Sequence, residues 1–145
     1  MRRAVFKNIL VPVDLADVAA AEPALARAVE MVSASGGKLR LIYVRSILPV
    51  TYMEFIPANF DTDQQVECER KLAELAAGVE LPPERISTVV RLGSVYNEVL
   101  DDAKKTGADL IVVGSHRPTM ATSLLGSNAA TIVRHAESSV LVVRG

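Results

Sequence analysis

Two stretches hold the residues with which this chain could do chemistry. One is Val11-Pro12-Val13-Asp14, an apolar run that ends in a carboxylate. The other is Val112-Val113-Gly114-Ser115-His116-Arg117, an apolar run that ends in a glycine and polar groups. A carboxylate directly after a buried strand can accept hydrogen bonds from an amino group or a sugar hydroxyl; it can equally cap a following helix. A glycine at the end of a strand lets a ligand come close to the backbone. After Gly114 the hydroxyls of Ser115, Thr119, Thr122 and Ser123 lead into Gly126-Ser127-Asn128, which opens a helical pattern. The first amides of a helix are unpaired and carry partial positive charge, so they suit a phosphate. Ser127 can add a hydroxyl donor. Gly126-Ser127 alone also fits a plain turn and cap; pairing with Gly114 on the preceding strand favours the phosphate site.

Nothing in the sequence forms an engine for fast catalysis. There is no Gly-x-x-x-x-Gly-Lys-Ser/Thr loop and no acidic cluster spaced to hold magnesium, although Asp14 or phosphate oxygens could hold one weakly. Ser115 and Ser127 lack an activating base. His116 could serve as an acid or base near a phosphate, or simply face solvent. His135, His116 and the single cysteine, Cys68, lack metal-ligand spacing. Cys68 falls in line with Leu72, Leu75 and Val79 and reads as a half-buried thiol. Ser35-Gly36-Gly37 follows a helical pattern and reads as its stop rather than as a phosphate loop.

Five apolar runs rich in β-branched residues must position these groups: Ala4–Val13, Leu39–Val44, Ile86–Val90, Leu110–Val113 and Val140–Val143. Their near-continuous apolarity fits strands covered on both faces. Helical stripes alternate with them. The first comprises Ala24, Leu25, Ala28, Val29 and Val32, with Pro23 placed in its first turn. The second comprises Leu72, Leu75, Ala76 and Val79, closed by Pro82-Pro83. The third comprises Val95, Val99, Leu100 and Ala103, with Ser94 as N-cap and Gly107 as its end. The fourth comprises Ala129, Ile132, Val133 and Ala136. A β-α-β-α-β-α-β-α-β order predicts an α/β, doubly wound, parallel five-stranded sheet with helices on both faces. The segment Ser46–Asp61, with Tyr52, Phe55 and Phe60, fits neither period; it reads as a surface loop, a lid or part of a subunit contact.

The 145 residues, half of them hydrophobic, suit a single domain spanning 1–145. A net charge of -1 gives no pull toward nucleic acid or membrane. The basic start Arg2, Arg3, Lys7 reads as a solvated tail. The apolar run Ile9–Val13 is too short for a signal peptide, and no stretch approaches a membrane span, so a cytoplasmic protein is expected.

These motifs resemble a known family. Asn8-Ile9-Leu10-Val11-Pro12-Val13-Asp14 is similar to the opening strand of the universal stress proteins. Gly114-Ser115-His116-Arg117-Pro118, Leu124-Leu125-Gly126-Ser127-Asn128-Ala129-Ala130, Val133-Arg134-His135-Ala136 and Val140-Leu141-Val142-Val143-Arg144 resemble its closing signature, in the F/G-type branch. The resemblance implies an adenine nucleotide α-hydrolase-like sheet in the order 3-2-1-4-5. It implies ATP, with or without Mg2+, as ligand and at most slow turnover. Gly114 would lie by the ribose and phosphates, and Gly126 and Ser127 at the phosphates. Pro12 and Asp14 would sit by adenine and ribose, with Val13 between them and Asn128 next to Ser127, and Val44 would offer its backbone to adenine. It further implies a homodimer through Val140–Val143, which would cover an apolar edge strand. One departure stands out: Arg117 replaces the second glycine of the family's Gly-x-x-Gly pattern, and the loop from Gly114 to Gly126 is one residue short. Arg117 either obstructs the phosphates or supplies charge to them. A family member that binds no nucleotide and works through protein contacts is the alternative.

Overall fold

The computed structural model describes residues 6–47, 56–115 and 127–145. Its elements run β1 (Asn8–Pro12), α1 (Val18–Ser35), β2 (Lys38–Arg45), α2 (Phe60–Ala77), a short 3-10 turn (Pro83–Arg85), β3 (Ile86–Leu92), α3 (Val95–Thr106), β4 (Leu110–Gly114), α4 (Ser127–His135) and β5 (Ser139–Val143). The five strands form one parallel sheet in the order β3-β2-β1-β4-β5, the doubly wound arrangement expected above.

Strand alternation divides the core into two layers. Ile9, Val11, Leu39, Leu41, Leu110 and Val112 face α1 and α2. Leu10, Ile42, Val44, Ile111 and Val113 face α3 and α4, where Val99, Ala103 and Ile132 meet them. Burial on both faces explains why the strands read as unbroken apolar runs. Each such side chain contributes roughly 2 kcal/mol by leaving water.

Two helices end where the sequence placed a stop. Gly36 after α1 and Gly107 after α3 take left-handed φ values of 74 and 72, and each returns its N–H to the last turn, on Val32 and Ala103. The start of α1 differs from expectation. The helix begins at Val18, so Pro23 lies inside it rather than in its first turn. The alanines at 19, 20 and 21 extend the helix upstream of the proline. Ser94 does precede α3, but its hydroxyl makes no cap bond. The Ser46–Asp61 connection gives way to α2 at Phe60; its residues 48–55 lie outside the described ones.

A polar layer fixes α3 against β2 and β3. Asp102, only 3% exposed, accepts Arg40 Nε at 2.8 Å and Nη2 at 3.2 Å. Arg91 reaches Asp102 at 3.4 Å, Glu98 at 2.9 Å and Asp101 at 2.6 Å. Hydrogen bonds from Lys105, then Arg91, hold the Asp101 carboxyl below its ordinary pKa. On the opposite face Gln65 of α2 donates to the Val90 carbonyl at 3.1 Å and accepts from Arg45 at 2.9 Å. That amide bridges α2 to edge strand β3. Asp109 accepts the N–H groups of Lys7 and Asn8, both at 2.9 Å, and joins the starts of β1 and β4.

Candidate functional site: a cleft at the reversal of strand order

The chain builds β1, β2 and β3 outward to one side, then crosses back to β4 on the other. At that reversal the carboxyl ends of β1 and β4 border a crevice, the place where α/β sheets bind ligands. The cleft measures about 780 Å³, within the usual range of roughly 300–1,000 Å³ for small-molecule sites.

Eight of the expected residues come together here: Pro12, Val13 and Asp14 after β1, Val44 on β2, Gly114 and Ser115 after β4, and Ser127 and Asn128 at the start of α4. His116, Arg117 and Gly126 lie outside the described residues. The cleft also recruits Asp17, Tyr43, Ser46, Val95, Val99 and Ile132, which sequence reasoning did not assign to it. Asp17 had a signal, a second carboxylate three residues after Asp14. Val95, Val99 and Ile132 had none, because their helical stripes read as ordinary core.

Asp14 does not cap α1. Its Oδ1 accepts the Ala16 N–H at 2.9 Å, a turn two residues long. Asp17 is the N-cap residue, and its side chain makes no cap bond. Val13 donates its N–H to the Ile42 carbonyl at 2.8 Å. Backbone direction alternates along a strand, so the N–H and C=O of Val44 point the same way as those of Ile42, past the end of β1 toward the cleft. Ser115 donates its N–H to the Val143 carbonyl at 2.9 Å and is tied to β5.

Gly114 has a packing role as well as an open face. A Cβ there would stand 3.2 Å from the Ala20 carbonyl, so the glycine lets α1 lie close over the end of β4. On the far side of the cleft, α4 starts at Ser127, whose carbonyl accepts the Thr131 hydroxyl at 2.8 Å. The first amides of α4 are free of intrahelical bonds and belong to residues of the cleft wall. Tyr43 borders the same space; burial first, then the nearby Cys68 and Asp14, pushes its hydroxyl pKa above the ordinary value. A second groove, of about 660 Å³, lies between the C-terminal ends of α3 and α4, away from the strand ends that host ligands in this fold.

Among the described residues, no helix is long and apolar enough to cross a membrane. The chain and its fold have parallels among known proteins. Universal stress protein G of Escherichia coli O157:H7 is 35% identical over 142 residues, covering 96% of this chain and 99% of that protein. The structure of a universal stress protein UspA from Lactobacillus plantarum superposes with a TM-score of 0.73 at 26% identity, covering 99% of this chain and 100% of the other. A universal stress protein in complex with cAMP superposes with a TM-score of 0.61 at 25% identity, covering 97% and 98%. The profile of the universal stress protein family matches residues 6–144, and this chain therefore belongs to that family, on the side of its G-type members.

Proposed function

We propose that this chain is an ATP-binding regulator of the stress response, holding the nucleotide in the cleft between β1 and β4. Family membership supports the stress-response role. The observation that carries the nucleotide reading is the meeting of α4's first residues, Ser127 and Asn128, with Asp14, Val44 and Gly114 around one cleft. The α4 amides would take the triphosphate, with His116, Arg117 and Gly126 in the loop leading to them. The main chain of Val44 would take the edge of adenine, and Pro12, Val13 and Asp14 would border adenine and ribose. The cAMP complex of a structural neighbour supports an adenine nucleotide as the ligand class.

ATP acts here as an effector rather than as fuel. A ligand bound to one conformation or assembly stabilises it without being consumed, and turnover is at most slow. Among the described residues no three acidic, cysteine or histidine side chains converge on an ion. Any Mg2+ would therefore be held chiefly by phosphate oxygens, with Asp14 in reach as one protein ligand. Strand β5 lies at the sheet edge. Antiparallel pairing with a second copy over Val140–Val143 would cover it and give a homodimer. The proposal places the protein in the cytoplasm.

The test is to identify the ligand released from denatured protein by mass spectrometry and to titrate the protein with ATP by calorimetry. An adenine nucleotide and saturable binding are expected. Ser127→Asp puts a carboxylate at the first position of α4, which suits the helix dipole but repels phosphate; ATP should bind at least about tenfold more weakly while the fold stands. A wild-type protein that carries no nucleotide and binds none at millimolar ATP would leave the alternative, action through protein contacts alone.

A further inference from the structure

Asp14 and Asp17 both line the cleft but are differently committed. Asp14 spends Oδ1 on the Ala16 N–H. Asp17 stands at the N-cap of α1, where an aspartate ordinarily accepts an amide of the first turn. Its side chain accepts none; the backbone, at φ -148 and ψ 69, lets its carbonyl take the Ala20 N–H at 3.1 Å instead. Among the described residues no hydrogen bond or ion pair uses the Asp17 carboxylate. This carboxylate lies exposed beside the cleft.

The cleft is also polarised. The start of α4 carries the positive end of a helix dipole, while the approach to α1 carries two carboxylates. A phosphate tail is drawn to the first and repelled by the second. A carboxylate accepts hydrogen bonds and donates none, so what it can recognise on a nucleotide is a neutral donor. With adenine against Val44 and phosphates at α4, the sugar hydroxyls are the donors left between them. Dinucleotide-binding doubly wound domains show the same chemistry from another position, an acidic residue about 20 residues beyond the first βα turn accepting a ribose hydroxyl; here the carboxylate follows β1.

We infer that Asp17 is a specificity-determining residue that accepts a ribose hydroxyl, so that the cleft selects nucleotides with a free ribose over deoxynucleotides and ribose-phosphorylated ones. The inference rests on the ATP reading above and adds the sugar selectivity to it.

Calorimetric titration of ATP, 2′-deoxy-ATP and 3′-deoxy-ATP, and of AMP against adenosine 2′,5′-bisphosphate, tests it in wild type, Asp17→Ala and Asp17→Asn. One charge-assisted hydrogen bond at an exposed site corresponds to about a tenfold preference. Wild type should bind one of the two deoxy analogues about tenfold more weakly than ATP. Asp17→Ala should lose that preference, weaken ATP to the same level and accept the bisphosphate as readily as AMP. Asp17→Asn, which keeps an acceptor without the charge, should retain part of the hydroxyl preference. The urea midpoint of either variant should fall only slightly, since the carboxylate makes no bond among the described residues and contributes little beyond its interaction with the α1 dipole. ATP binding that ignores both hydroxyls, or a preference that survives in Asp17→Ala, overturns this inference and leaves the ATP reading standing. A wild type that binds none of these nucleotides overturns both.

Discussion

Two polar regions share one sheet and are built on opposite terms. On the flank of β2 and β3, Arg40, Arg91, Asp102, Asp101 and Glu98 are all spent on one another. In the cleft between β1 and β4, no bond among the described residues uses the Asp17 carboxylate, Asp14 uses one oxygen locally, and Ser127 and Asn128 at the start of α4 line the wall. The first region satisfies its charges internally because Asp102 is buried, where an unpaired charge would be costly. The second leaves donors and acceptors unspent because a ligand can complete them. Composition does not separate the two; the state of each polar group does.

The contrast can be broken most forcefully at Asp102. Asp102→Ala strips the shared counter-charge from two guanidiniums, and with Arg40 and Arg91 partly solvated the cost should be about 3 kcal/mol. Urea unfolding measures it, and any nucleotide affinity of the folded fraction should stay close to wild type. A stability unchanged by this substitution would mean that the flank is not held by charge. Gly114→Ala tests the border of the cleft. The new Cβ crowds the Ala20 carbonyl at 3.2 Å, so α1 must shift slightly, at about 1 kcal/mol in thermal unfolding, and the change should be felt in the cleft as well as in stability. The smallest effect concerns pH. The Tyr43 pKa is raised in the folded state, by burial and then by Cys68 and Asp14. The folded state therefore holds this proton more tightly than the unfolded chain does. Its contribution is complete below the unfolded value near 10 and is lost as pH rises through the folded value. Tyr43→Phe should flatten that part of the alkaline decline, as followed by denaturant unfolding at a series of pH values from neutral upward.

Much of the fold was legible in the chain. All five strands fall on apolar runs rich in β-branched residues, with ends displaced by only a residue or two after the first strand. The first strand was drawn too long: the run from Ala4 to Val13 is interrupted by Lys7 and Asn8, and among the described residues pairing with β2 starts at Asn8. Gly36 and Gly107 were readable as stops because only a residue without Cβ enters the left-handed region cheaply. Pro23 misled because its position within a helix depends on where the helix starts, and Val18 to Ala21 carry no strong start signal. The cleft was half legible. Asp14, Gly114 and Ser127 sit at strand or helix ends and announce themselves there. Tyr43, Val99 and Ile132 do not, because they reach the cleft from within a strand or from inside helices whose own patterns look like core.

The sequence by itself determined the kinds of elements, their alternation and the family, since these depend on local periodicity, capping and motif identity. The tertiary structure decided which carboxylate is engaged: Asp14 stood out in the chain at a strand's end and Asp17 did not, and only the turn geometry before α1 occupies an oxygen of the first while the second makes no side-chain cap bond. It also decided which charges cancel, because Arg40 lies 62 residues from Asp102 and meets it, beside Arg91, only when α3 crosses back over β2 and β3. Local interactions act between neighbours and can be read there; the pairing of distant charges exists only after the crossover connections have closed.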